Sequence, residues 1–258
     1  MWETRYGFPE PSRTESGYRR YASDDVRALR RVRGFRARGL SVPAAIERAR
    51  ESLSITGRPS IYGAVAEEHP GRPQVLRKGT LTAISRAIEH EALARANDAI
   101  VFGAFQHVPF YRSVENRYRQ MARFARAATV FADFDELGHP DGGPVEVPIA
   151  DEDKVGNEWA VIVDAPDFAA ALLAWEVPGV TEPGAADDMS RRFESIWTVD
   201  PTAVRRASLA AARLSGHADE GYGVKLEAMV SEAPMASADL APSLTTLTNR
   251  MVAYLEAA

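Results

Sequence analysis

Two short, dense apolar runs, residues 99–106 (AIVFGAFQ) and 129–134 (TVFADF), flank an amphipathic, arginine-rich stretch at 111–127. Runs this short and this rich in Val, Ile and Phe read as buried strands, whereas the stretch between them keeps helical spacing. Parallel strands need a crossover of a dozen or more residues, usually a helix, and the 22 positions between the runs supply one. A strand-helix-strand unit therefore anchors the chain as an α/β fold.

The neighbouring segments extend this reading. Leu81, Ile84, Ile88 and Leu93 keep helical spacing behind Thr80 as a cap. Residues 139–144 read as a turn, 145–149 alternate as a strand, 158–164 (EWAVIVD) form a further strand, and 167–176 read as a short apolar helix. Residues 193–199 complete the strands, and 201–214 and 240–255 are amphipathic helices. Upstream, 51–78 mixes Gly, Pro and charge with one apolar patch at Ile61 and Tyr62, the composition of a linker. The expected division is 1–50, a linker at 51–77, an α/β domain at 78–199 and a helical extension at 200–258.

Charge separates the head from the body. Residues 1–50 hold 12 Arg against 6 acidic residues, a net of +6, while the remainder carries −11 within an overall −5. A basic segment on an acidic chain suits a polyanion bound by that segment alone, because neutralised phosphates release counterions; a solvated arginine-rich helix gives the same composition. Residues 13–21 (RTESGYRRY) read as a tight hairpin turning at Ser16-Gly17, with Tyr18 and Tyr21 placed to pack on a helix. Asp24 and Asp25 open a helix through Val26, Leu29, Val32 and Phe35, and Ser41 caps the next one, with Pro43 in its first turn.

Several chemistries lack their residues. With no cysteine, disulfides, thiolate metal sites and a cysteine nucleophile are excluded, and the five histidines have no ligand spacing. No phosphate-binding Gly-Lys-Ser/Thr loop, no G-x-G-x-x-G after a strand and no G-x-S-x-G occurs. No run of 18 apolar residues and no secretory signal pattern is present, so a cytoplasmic protein away from membranes is expected. The pairs Asp133/Asp135 and Asp151/Asp153 read as solvated turn residues in preference to a cation site. No enzyme activity, cofactor or metal is expected.

The opening W-E-T-R-Y-G-F-P-E-P-S-R-T-E-S-G-Y-R-R-Y, followed by R-G-L-S-V-P-A-A-I, resembles the MerR family of winged-helix transcription regulators. The resemblance implies phosphate contacts for Arg5, Tyr6, Arg13, Tyr18, Arg19 and Arg20, which position a protein on DNA without reading bases. Packing of a small wing core is the other role open to Trp2, Tyr6 and Tyr18. Members of the family place a recognition helix ahead of this segment, and only its last turn, Met1-Trp2-Glu3, is expected here, through a start codon taken late. A second resemblance, over 61–199, is to the DICT sensory domain, carried by L-T-A-I-S-R-A-I-E at 81–89, F-G-A-F-Q at 102–106, F-Y at 110–111, V-F-A-D-F at 130–134 and E-W at 158–159. It implies an α/β fold that senses a signal without catalysis.

The architecture expected is thus an α/β sensory domain behind a small, mainly helical, partial winged-helix region. The function expected is a MerR-type DNA-binding regulator acting on promoter duplex, with a small-molecule or protein signal; the alternative is a sensor or interaction module without sequence-specific DNA binding. For the signal, Gln106 and His107 end a buried strand, where ligands of open α/β sheets sit. Gln106 and His107 are expected to orient a ligand, and Phe110, Tyr111 and Trp159 to wall it, or else the amide and imidazole satisfy loop backbone. Trp175 and Phe131 are further wall candidates. A homodimer is expected, through Leu244, Leu247, Met251 and Leu255, unless that face covers its own subunit.

Overall fold

In the computed structural model, residues 60–66, 73–149, 154–177, 183–237 and 241–256 are described, together with scattered positions between 6 and 46. The chain divides into two compact units, Met1–Arg58 and Pro59–Ala258.

In the first unit β1 (Ser12–Arg13) pairs antiparallel with β2 (Arg19–Arg20), and Thr14 N–H donates to Tyr18 O at 2.9 Å. This is the expected hairpin; Ser16 and Gly17 lie outside the described residues. Tyr18 and Tyr21 are 74% and 50% exposed, so neither packs on a helix as the spacing suggested. The small core is made instead by Phe8, Val32, Ala45 and Ile46, with Tyr6, Leu29 and Val42 against it.

The second unit is built on strand β4 (Ala99–Ala104), whose six residues are all buried. It pairs parallel with β5 (Ala125–Ala132), as the spacing of the two apolar runs requires, and antiparallel with β7 (Glu158–Asp164). The crossover breaks into two short helices, α3 (Val108–Arg112) and α4 (Glu115–Ala122). With β3 (Gln74–Arg77), β6 (Val145–Pro148), β8 (Ala169–Glu176) and β9 (Arg192–Thr198) the sheet has the order β3-β9-β8-β7-β4-β5-β6. Helices α1 (Ile61–Ala66), α5 (Pro201–Ser215) and α6 (Glu220–Glu232) lie on one face; α2 (Lys78–Arg95) and α4 lie on the other, and α7 (Ala241–Glu256) packs on α2. Strand alternation sends Ile100, Phe102 and Ala104 to the first face and Val101 to the second.

Four expectations change. The segment read as a helix at 167–176 is β8, a central strand whose first six residues are buried; burial on both faces erases the period-two pattern that marks a strand. The span read as a linker holds α1, with Ile61 and Val65 in the core, and the edge strand β3. The segment read as a helical extension covers the sheet, and includes α6, which the sequence reading passed over. Thr80 lies inside α2, which starts at Lys78.

Helix α1 is held from the sheet. The Glu158 carboxylate, 1% exposed at the start of β7, accepts from Ile61 N–H at 3.0 Å, from Tyr62 N–H at 3.2 Å and from the Ser60 hydroxyl. Tyr62 Oη donates to Glu194 on β9 at 2.8 Å. A buried carboxylate on unpaired N–H groups at a helix start satisfies both partners.

Candidate functional site

The C-terminal end of β4 gathers a buried ionic network. The backbone leaves the sheet after Phe105 N–H donates to Phe131 O at 2.8 Å, and Gln106, 6% exposed, turns inward. Its amide nitrogen donates to Glu176 Oε2 at 2.5 Å, and its oxygen accepts from Arg191 Nη2 at 2.6 Å. Arg191 also donates through Nε to Glu176 Oε1 at 2.6 Å and through Nη1 to Asp188 Oδ1 at 3.0 Å. Asp188 bridges onward to Lys78, the first residue of α2, whose ammonium lies 3.8 Å from the Phe110 ring centroid. The side chains of Lys78 and Arg191 are 8% and 1% exposed.

Electrostatics follow from this burial. Desolvation works against ionised Asp188, but hydrogen bonds from Lys78 and Arg191 outweigh it and hold the carboxyl below its ordinary range. Two cations and two carboxylates sum to zero, which allows the cluster to remain ionised out of water.

The five residues singled out from the sequence fall into four settings. Gln106 and Phe110 join the network, Phe110 through Lys78. His107 forms a pair with Asp133, Nδ1 to Oδ2 at 2.9 Å, and touches the Phe110 ring at 5.6 Å between centroids. Asp133 also accepts from Val108 N–H; desolvation opposes ionisation, but these bonds outweigh it and hold the carboxyl below its ordinary pKa, so this member of the acid pairs caps a helix. Trp159 reaches Arg191 indirectly, stacked edgewise on Phe193 at 6.1 Å while its N–H donates to Ser85 at 2.9 Å. Tyr111 is fully buried in a nest of Phe105, Tyr118 and Phe134, and its hydroxyl has no partner among the described residues.

Phe131 stacks on Phe102 on the face opposite Trp159, so these two aromatics do not share a wall. A cavity of about 170 Å³ lies at the other end of β4, lined by Ala92, Arg95, Asn97, Met121 and Phe124. Lys78, Glu176, Asp188 and Arg191 carried no signal in the sequence, since α2, the end of β8 and the turn holding Asp188 and Arg191 are distant from one another in the chain. Arginines of the crossover and of the start of β5 are spent on ion pairs: Arg112 with Glu146, Arg117 with Glu89, Arg119 with Glu115 and, on β5, Arg126 with Asp98.

In the first unit, Arg19 and Arg20 stand exposed on β2 beside exposed Tyr18, and Tyr6 packs against the small core. Arg13 is on β1, and Arg5 lies outside the described residues.

Residues 60–177 match the DICT family, described as a sensory domain in diguanylate cyclases and two-component systems, and residues 1–52 match the MerR HTH family of regulatory proteins. The first segment is of the MerR type, and a DICT domain follows it. A transcriptional repressor of the HTH type, CarA of Myxococcus xanthus, is 53% identical over 47 residues, which are 17% of this chain and 16% of the repressor. The chain thus aligns with about one sixth of that relative. No solved structure matches. The DICT match stops just past β8, whereas β9 and the helices after it complete the sheet and its cover. Both matched families are regulatory or sensory, so in these two segments the chain is similar to a MerR-type regulator and to a sensory domain. Among the described residues no helix is long and apolar enough to cross a membrane.

Proposed function

We propose that this MerR-like regulator binds promoter duplex through its N-terminal hairpin and that its DICT domain biases that binding in response to a small molecule held at the C-terminal end of β4. The exposed Arg19-Arg20 strand, inside the segment that resembles a transcriptional repressor, carries the DNA half of this reading. Arginines on a hairpin grip phosphates, with Arg5, Arg13, Tyr6 and Tyr18 as the further contacts. Sequence is read by other groups, so these residues set affinity and its salt dependence.

Each phosphate neutralised adds about 0.9 to the slope of log affinity against log salt. Replacing Arg19 and Arg20 by Ala should therefore weaken binding equally on promoter and random duplex and flatten that slope by about 2. An unchanged slope in a fluorescence-anisotropy salt series rejects the DNA role and favours a partner-binding sensor.

In the sensing half Gln106 acts through Arg191 and Phe110 against Lys78, with His107 beside Phe110, Trp159 beside Phe193 and Tyr111 as the remaining candidate wall. A ligand moves DNA affinity only by its differential affinity for two arrangements of the domain. The regulator would act as a homodimer. Leu247 and Met251 are buried in its own domain with α7 packed on α2, so a second copy would meet the stripe Leu244, Val252 and Leu255 that stays exposed.

A further inference from the structure

The network at the end of β4 differs in how its two carboxylates are held. Glu176 ends a central strand and is fixed by its pairing with β9. Asp188 lies on the single 3-10 turn Asp188–Ser190, where residues 183–187 before it and Met189 beside it are exposed. Asp188 alone of that segment reaches inward, and its carboxylate sits between the buried Lys78 ammonium and the Arg191 guanidinium.

We propose that Lys78 and Arg191 form a binding site for a small molecule bearing a carboxylate, and that Asp188 occupies this site in cis until the ligand displaces it. Charge fixes the class. Without Asp188 the cluster keeps Lys78, Arg191 and Glu176, a net of +1, so one negative charge restores neutrality and a dianion overshoots. Arg191 Nη1 and the Lys78 ammonium each hold one oxygen of the Asp188 carboxylate, an arrangement that suits the two oxygens of a planar carboxylate ligand. The Phe110 ring against Lys78 offers an apolar surface for the rest of the molecule, and the start of α2 adds its positive dipole end. The inference rests on the sensory reading above and names its ligand class.

Acetate is the probe, on the full chain, read by thermal melting against chloride at equal ionic strength. Asp188→Ala leaves two buried cations with one carboxylate and should melt lower than wild type; acetate should then restore it saturably. At ten times its dissociation constant the rise should be about 3–6 °C. Wild type, with Asp188 in place, should show no such rise, and Lys78→Met added to Asp188→Ala should abolish it. If Asp188→Ala is unfolded in chloride, acetate should restore its circular-dichroism spectrum. Equal melting in acetate and chloride, no refolding by acetate, or stabilisation by phosphate alone overturns the proposal. Those results leave the sensory reading standing; it falls separately if no metabolite alters DNA affinity.

Discussion

Gly103→Ala tests how the crossover is seated on the sheet. A Cβ built at Gly103 lies 2.7 Å from Tyr118 Cε1 and Oη and 2.8 Å from Cζ, well inside ordinary contact. Tyr118 is fully buried on α4, edge-on to Phe105 at 5.4 Å and to Tyr111 at 6.2 Å, so its ring has no empty space to enter. The helix must shift by several tenths of an ångström. Overpacking of this kind costs about 1–3 kcal/mol, and alanine in place of glycine inside a strand recovers about 0.5–1 kcal/mol. A net loss of about 1–2 kcal/mol should lower the melting temperature of the sheet unit by about 2–8 °C. Tyr118→Phe should not relieve the strain, because Cε1 and Cζ remain. In a Tyr118→Ala background Gly103→Ala should cost nothing. Equal cost in both backgrounds, or a stabilised Gly103→Ala, would refute the account.

Gln106→Ala removes hydrogen bonds to two charged groups, half-buried Glu176 and buried Arg191, and should destabilise the chain by about 1.5–3 kcal/mol in urea melts; a neutral substitution would show that the amide is dispensable to the network. His90 on α2 pairs with Tyr254 on α7 at 2.5 Å, and its imidazole is held below its ordinary value of 6.5 by burial, then by Arg117 on α4, Arg250 on α7 and Arg86 on α2, while Glu89 and Glu91 are engaged by Arg117 and Arg250. The folded state thus favours the neutral ring, so its stabilising contribution is complete above pH 6.5 and is lost as pH falls through the depressed value. Melting between pH 7 and pH 5 should fall more steeply for wild type than for His90→Gln, and parallel profiles would count against it.

The strands flanking the crossover were legible because their apolar runs are short, dense and bounded. β8 was not, since Ala169 to Ala174 are all buried and rich in Ala and Leu, residues that favour helices by themselves. Helix α6 was hidden by Gly221 and Gly223, yet a Cβ on Gly223 would lie 2.5 Å from Gly216 Cα, so glycine there permits the close approach of α5 and α6. Gln106 and Phe110 stood out in the sequence at and just past the end of their strand, a local signal. Lys78, Glu176 and the neighbouring Asp188 and Arg191 each look like solvated charges in one dimension, and only the order of the sheet brings the three places together.

The cap that Glu158 places on α1 fixes where this sensor can be severed or grafted. Composition invites a cut anywhere before Lys78, yet the Ser60 hydroxyl both bonds Glu158 and accepts from Gly63 N–H at 2.8 Å. A chain begun at Lys78 would leave a carboxylate buried beneath α5 without its helix, and would strip β3 from the sheet edge. A transplantable sensor therefore begins at or before Ser60, and any foreign head joined there inherits a rigid first helix as its point of attachment.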